Sequence, residues 1–355
     1  MHMLLADTQA STDILDHLGL VATTIDKLGI INKIDELIPL RSVAKTSIGQ
    51  RVAAMILNGL GFVDDRLYMF PEFLKNKPVK RLLGNNVKAE HFNNDALGRA
   101  LDIIYKYGAT KLFSELAFPI GMAQGLLGRS MHIDTTTLSV YGEYEINELA
   151  TNSHNGLEKV SIPKQGYAKN KRLDLKPMVL TLATSDSSGF PVWMKSHSGN
   201  SSDTKTLQET AQRMQDFCKE LKYAPSCLYV GDSAMYLNCV KKGSNLLWLS
   251  RVPETLKLAK EFINAKAKWV KIDDNYQVYQ KLQTYEGVEQ RWLLVFSKHA
   301  YTKEVATLEK SIIKEHEEKA KALWHLSNEI FSCKKDALKK LAELQKSLDI
   351  IKLLK

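Results

Sequence analysis

The sequence predicts an α/β protein in which an all-helical N-terminal domain precedes a mixed-sheet core and a charged helical tail. Three observations carry this. Apolar residues recur at helical spacing from about residue 10 to residue 120. The texture changes at Ser130 to short runs of β-branched and apolar residues bounded by turn residues. From Thr302 the chain returns to a Lys/Glu-rich helical pattern.

Composition bounds the class. The 355 residues are 44% hydrophobic and 25% charged, as in ordinary globular proteins with room for two or three domains. No run approaches the roughly 18 apolar residues of a membrane span, so no membrane partner is expected. Met1-His-Met-Leu-Leu-Ala-Asp7 lacks a basic stretch followed by an apolar core, which argues against a signal peptide and for a cytoplasmic protein. Cys218, Cys227, Cys239 and Cys333 form no CxxC pair and read as reduced thiols. The formal charge of +9 favours a polyanionic partner.

In the first region, Ile14, Leu18, Val21, Ile25, Leu28, Ile31, Ile34 and Leu37 mark helices that Gly19 and Gly29 punctuate and Pro39 ends. Thr46 or Ser47 caps a helix running through Val52, Met55 and Leu60. Asn94-Asp95 caps another over 96–107, and a further helix covers 110–116. Short helices of this kind suit a helix-turn-helix or a packing and dimerising domain, and the lack of a basic excess before residue 125 leaves both open.

The strands then follow in order. Ser130–Val140 is first, followed by Pro177–Thr184 and Pro191–His197 around the turn Asp186-Ser-Ser-Gly189. A helix opens at Ser202 or Asp203, with Leu207, Ala211, Met214 and Phe217 on one face. A strand at 228–230, a helix near 235–240 and a strand at 245–250 complete the set. Three strands, helix, strand, helix, strand is the order of the RNase H-like fold. The expected domains are 1–125 helical, 126–252 RNase H-like core, 253–300 an α/β insertion (helix 256–267, strands around Trp269–Ile272, Tyr276–Leu282 and Arg291–Ser297) and 301–355 a C-terminal helical hairpin broken near Ser332–Asp336. Its stripe of Leu338, Leu341, Leu344, Leu348 and Ile351 reads as packing surface.

Two acids stand out. Asp134 sits inside the first strand, and a carboxylate in a buried strand is costly unless paired or metal-bound. Capping a turn or meeting an Arg would also explain it. Val230-Gly-Asp232 repeats the arrangement after the helix. In the expected fold the two strands are neighbours, so two carboxylates converge as half of a divalent-metal site. Between them, Lys159, Lys164, Lys169, Lys171, Arg172 and Lys176 face a single acid, Asp174, in a run that fits either a solvated loop or a phosphate contact. His132 and His197 read as packing or hydrogen-bonding residues.

The ordered set of the Asp134 strand, Gly166-Tyr-Ala-Lys-Asn-Lys-Arg-Leu-Asp-Leu-Lys176, Ser198-Gly-Asn-Ser-Ser-Asp203 and Val230-Gly-Asp-Ser233 resembles the insertion-sequence DDE transposases of the IS-four superfamily, in its sixteen-thirty-four branch. Ile48-Gly-Gln-Arg-Val52, Asp65-Arg-Leu-Tyr-Met-Phe-Pro71 and Asn94-Asp-Ala-Leu-Gly-Arg-Ala-Leu-Asp102 resemble the helical domain that precedes that core. The resemblance implies metal-dependent phosphodiester cleavage and strand transfer in DNA transposition, with Mg²⁺ or Mn²⁺ as cofactor. It implies Asp134 and Asp232 as catalytic metal ligands, and Lys169, Lys171, Arg172, Lys176 and Arg251 as DNA contacts. The implied partners are double-stranded DNA, at element ends and target, and a second copy in a homodimer.

One feature departs from the family. Its third acid lies in a Tyr-x2-Arg-x3-Glu-x6-Lys frame, and none of Tyr236, Tyr276, Tyr279, Tyr285 or Tyr301 has Arg three residues later. No late glutamate is assigned to the role, and the expectation is a copy truncated before it, weak in metal binding and turnover. A non-catalytic DNA-binding or dimerising remnant is the alternative. An RNase H-type hydrolase is a third reading, and it lacks the same ligand.

Overall fold

A computed structural model describes residues 12–40, 44–62, 66–144, 160–166, 172, 174–186, 188–201, 203–220, 227–241 and 246–346. The chain divides into two compact units, Met1–Pro253 and Glu254–Lys355.

The first unit opens with helices α1 (Leu18–Lys27), α2 (Ile30–Leu37), α3 (Ile48–Gly59), α4 (Phe70–Lys75), α5 (Val79–Leu83), α6 (Asn94–Tyr107) and α7 (Ala109–Ala123). Ser47 starts α3 with a reciprocal capping box, its hydroxyl accepting from Gln50 N–H while the Gln50 side chain accepts from Ser47 N–H. Asn93, one residue before the expected cap, starts α6 by accepting from Ala96 N–H at 3.0 Å. Gly49 lets α2 and α3 close together, since a Cβ there would lie 2.3 Å from the Ile31 carbonyl oxygen. Arg51 is 8% exposed and ties α3 to α6, donating to Thr46 Oγ1 at 2.9 Å and the Ala96 carbonyl at 3.2 Å. Leu18, Leu57, Phe70, Leu74, Phe92 and Leu97 form the main core of these helices.

The sheet that follows contains β1 (Ser130–Val140), β2 (Lys176–Ser185), β3 (Pro191–Ser198), β4 (Leu228–Gly231) and β5 (Leu247–Ser250), with α8 (Asp203–Glu220) and α9 (Ser233–Lys241) between β3, β4 and β5. Its order is β3-β2-β1-β4-β5. The first three strands are antiparallel neighbours, and β4 and β5 add parallel to β1. This is the RNase H-like arrangement the element order predicts. Met131, Ile133, Ala183, Trp193 and Tyr229 point to one face, where Leu207, Ala211 and Met214 of α8, Met235 and Cys239 of α9 and Phe118 of α7 cover them. The hairpin turn is tied back to β1, as Asp186 Oδ2 accepts from Ser130 N–H at 3.3 Å and from its hydroxyl at 3.2 Å.

The second unit contains α10 (Lys257–Ile263), a sheet of β6 (Val270–Lys271), β7 (Tyr276–Tyr285) and β8 (Val288–Ser297), then α11 (Lys298–Ser327) and α12 (Lys334–Lys346). Glu286 and Gly287 both have positive φ (50° and 77°), the pattern of a tight turn between twisted strands. Phe262 of α10 stacks on Tyr279 and meets Trp292 edge-on, which gives this small sheet a covered face. α10 ends earlier than the expected 267, and α11 starts before Thr302 because Ser297 caps it, accepting from Ala300 N–H at 3.3 Å. α11 and α12 are two successive C-terminal helices, broken between Ser327 and Lys334 near the expected position.

Candidate functional site

Strand alternation decides where Asp134 points. Met131, Ile133 and Thr135 are buried, and His132, Asp134 and Thr136 between them are exposed. The expectation of a buried carboxylate is therefore corrected. The strand is central to the sheet, yet its helix-covered face takes only the odd positions, so Asp134 lies on the other face and keeps its hydration. One of its oxygens accepts from Thr135 N–H at 2.7 Å.

The parallel pairing of β1 and β4 runs Ser130↔Leu228, Met131↔Tyr229 and His132↔Val230. Asp134 and Asp232 each follow the last pair by two residues, at the same end of two neighbouring strands that are about 4.8 Å apart where they pair. Asp232 has left β4 and opens α9. It is exposed, and its Oδ1 accepts from Ala234 N–H at 2.9 Å. Its carbonyl accepts from the Ser250 hydroxyl and from Met235 N–H. Gly231 allows this tight exit, because a Cβ there would meet the Met235 sulfur at 2.7 Å. The exposed Arg251 follows the pair Gly231↔Ser250 by one residue, level with Asp232.

The remaining basic candidates lie elsewhere. Lys169 and Lys171 fall outside the described residues. Lys176 pairs with Val140 at the far end of β1, six residues beyond Asp134 or about 20 Å along an extended strand. Its Nζ donates to the Glu143 carbonyl. Arg172 makes a two-pronged ion pair with Asp174, Nε to Oδ1 at 2.7 Å and a terminal nitrogen to Oδ2 at 2.6 Å. The guanidinium holds the Asp174 carboxyl down at about 2. Among the described residues, the predicted site thus separates into Asp134, Asp232 and Arg251 at one end of β1 and Arg172 and Lys176 at the other.

His197 accepts or donates a hydrogen bond with Thr181 Oγ1 at 3.0 Å, in keeping with its expected role. His132 is exposed on the face of Asp134 instead of packed. Tyr141 and Tyr144, absent from the candidates drawn from the sequence, stand exposed beside Arg172 and Lys176. Their signal was two tyrosines flanking a glycine at a strand end, which composition alone does not separate from ordinary turn residues.

The donor set suits a hard cation as far as it extends. Asp134 and Asp232 supply two carboxylates at the same end of the β1–β4 pair, each with an oxygen oriented by a backbone N–H. Among the described residues no group of three or more His, Cys, Asp or Glu stands close enough to hold a metal ion. No described helix is long and apolar enough to cross a membrane.

A family profile described as a domain of unknown function, DUF4277, matches residues 10–118, the helical region. No curated protein matches the chain. Among solved structures, the chain is similar to a piggyBac transposase in a synaptic complex with hairpin DNA, at 12% identity and a TM-score of 0.33. The match covers 78% of this chain and 60% of that one.

Proposed function

We propose that the chain is a DDE-type transposase that cleaves phosphodiester bonds and joins strands in DNA transposition. One observation carries the reading: Asp134 within β1 and Asp232 just past the end of β4 both follow the last β1–β4 pair, His132↔Val230, by two residues in a sheet ordered β3-β2-β1-β4-β5. Asp134 and Asp232 would hold Mg²⁺ or Mn²⁺, which when bound supplies activation of the attacking oxygen and charge stabilisation at the leaving oxygen. The chain's own part is positional. Thr135 N–H and Ala234 N–H orient the two carboxylates before any ligand arrives. Arg251, level with Asp232, offers a fixed positive charge to a phosphate of the cut strand. Arg172 and Lys176, with Lys169 and Lys171 from the same basic segment, contact DNA away from the cut. Duplex DNA at element ends and target is the substrate, engaged by a homodimer.

The test uses the full chain, Mn²⁺ or Mg²⁺, and labelled duplexes from the flanks of its own gene. Nicking or joining that disappears in Asp134→Asn and Asp232→Asn supports the reading. Cleavage that survives both substitutions, or is absent from the unaltered chain, removes its catalytic part.

A second reading has its own observation. Among the described residues no group of three or more His, Cys, Asp or Glu could hold a metal ion. A DNA-binding or dimerising protein without catalysis would bind the same duplexes with strong salt dependence and leave them intact.

A further inference from the structure

We propose that the far end of β1 is a stacking platform for unpaired nucleotides, built from Tyr141 and Tyr144 and flanked by Lys164, Arg172 and Lys176. Tyr141 is 72% exposed and Tyr144 45% exposed. Both are held. Arg172 stands beside Tyr141 while it grips Asp174. Tyr144 lies over Gly142, where a Cβ would come within 2.9 Å of its ring. Gly142 has φ +130° and Tyr144 has φ 43°, so the chain adopts a left-handed conformation that a tyrosine rarely takes in order to set this ring. Lys176 fastens the residue between them by donating to the Glu143 carbonyl.

The cations converge here through the backbone. Lys176 pairs with Val140 at the end of β1. The exposed Lys164 hangs from Pro177, its N–H donating to the Pro177 carbonyl at 3.3 Å. Fixed, exposed rings set among cations are what a single strand needs: bases stack on the rings while phosphates meet the charges. Bases inside a duplex already stack on each other and cannot use the rings, so the occupant is single-stranded DNA. The choice of DNA rests on the function proposed above. The site itself is separate, since Tyr141 lies seven residues beyond Asp134, about 23 Å along β1.

The test is fluorescence anisotropy with the full chain and a chelator, which removes cleavage from the readout. The probes are a labelled oligothymidylate of about twenty nucleotides and a blunt duplex of equal length. Tyr141→Ala and Tyr144→Asn (Asn tolerates positive φ) are each expected to weaken oligothymidylate binding about tenfold. Tyr141→Phe keeps the ring and most of the affinity, and duplex binding stays within about twofold for all three. Unchanged oligothymidylate affinity overturns the proposal, as does an equal loss on the duplex, which would mark a plain phosphate patch. Photocrosslinking of bromodeoxyuridine-substituted strand to the unaltered chain guards against unfolded variants: adducts on Tyr141 or Tyr144 support the platform, and adducts only elsewhere overturn it. Because cleavage is absent from these assays, loss of the catalytic reading leaves their outcome readable.

Discussion

Asp232 Oδ1 accepts the backbone N–H of Ala234 at 2.9 Å, so the carboxylate at the end of β4, the strand beside that of Asp134, also caps helix α9. Two roles on one side chain can be separated by substitution. Asp232→Ala removes both and is expected to cost about 1 kcal/mol of stability through the lost cap. Asp232→Asn keeps a capping oxygen and should unfold within about 0.5 kcal/mol of the unaltered chain. Denaturant titration reads that difference, while DNA cleavage is expected to be lost in both.

Asp134 lies within β1, where its carboxylate accepts from Thr135 N–H at 2.7 Å. It lies exposed on the open side of β1, so Asp134→Asn is expected to change stability by less than about 0.5 kcal/mol. Cleavage by that variant should fall by at least about a hundredfold, because a two-carboxylate site loses half its anionic ligands. A large drop in melting temperature with cleavage retained would contradict both halves of this assignment.

The Arg172–Asp174 pair sets a pH window. The guanidinium hydrogen bond and charge hold the Asp174 carboxyl well below the usual carboxylate range, at about 2. A lowered folded value means the pair contributes above the unfolded value and is lost as pH falls from roughly 4 through about 2. Both groups are exposed, so the contribution is small and salt-screened. Carbon-detected NMR should find the Asp174 carboxyl titrating near 2, and near the ordinary value in Arg172→Ala.

Gly49 is a packing requirement of the helical region. Gly49→Ala would put a methyl 2.3 Å from the Ile31 carbonyl oxygen, a backbone atom that cannot swing aside. A loss of about 2 kcal/mol is expected by chemical denaturation, with α2 and α3 forced apart. A variant as stable as the parent would show that these helices are not held in the close contact described.

The four thiols should sort by burial. Burial pushes Cys218 up to about 12 and Cys227 and Cys239 up to about 11, whereas Cys333 is exposed. At pH 8 a disulfide reagent is expected to modify Cys333 first, with the others following only on unfolding. Peptide mapping after a short pulse identifies the modified residue.

By itself, the sequence determined the kinds of elements and their order. Helical periodicity and caps such as Ser47 act within a few residues, so they were readable, with boundaries displaced by a residue or more, as at Asn93 and Ser297. The element order also implied the neighbours β1 and β4, and with them the pairing of Asp134 and Asp232 as candidates. Only the tertiary structure decided which way those residues face and what they meet. Period-two alternation says that Asp134 and Ile133 point oppositely, but which side receives α8 and α9 depends on packing from residues a hundred positions away. The basic residues read as one run; β1 is long enough to carry Arg172 and Lys176 away from the carboxylates, and their local bonds to Asp174 and Glu143 follow from chain geometry that spacing does not encode. Local patterns report short-range preferences, whereas the facing of a side chain is a sum of distant contacts, and that sum exists only in the folded chain.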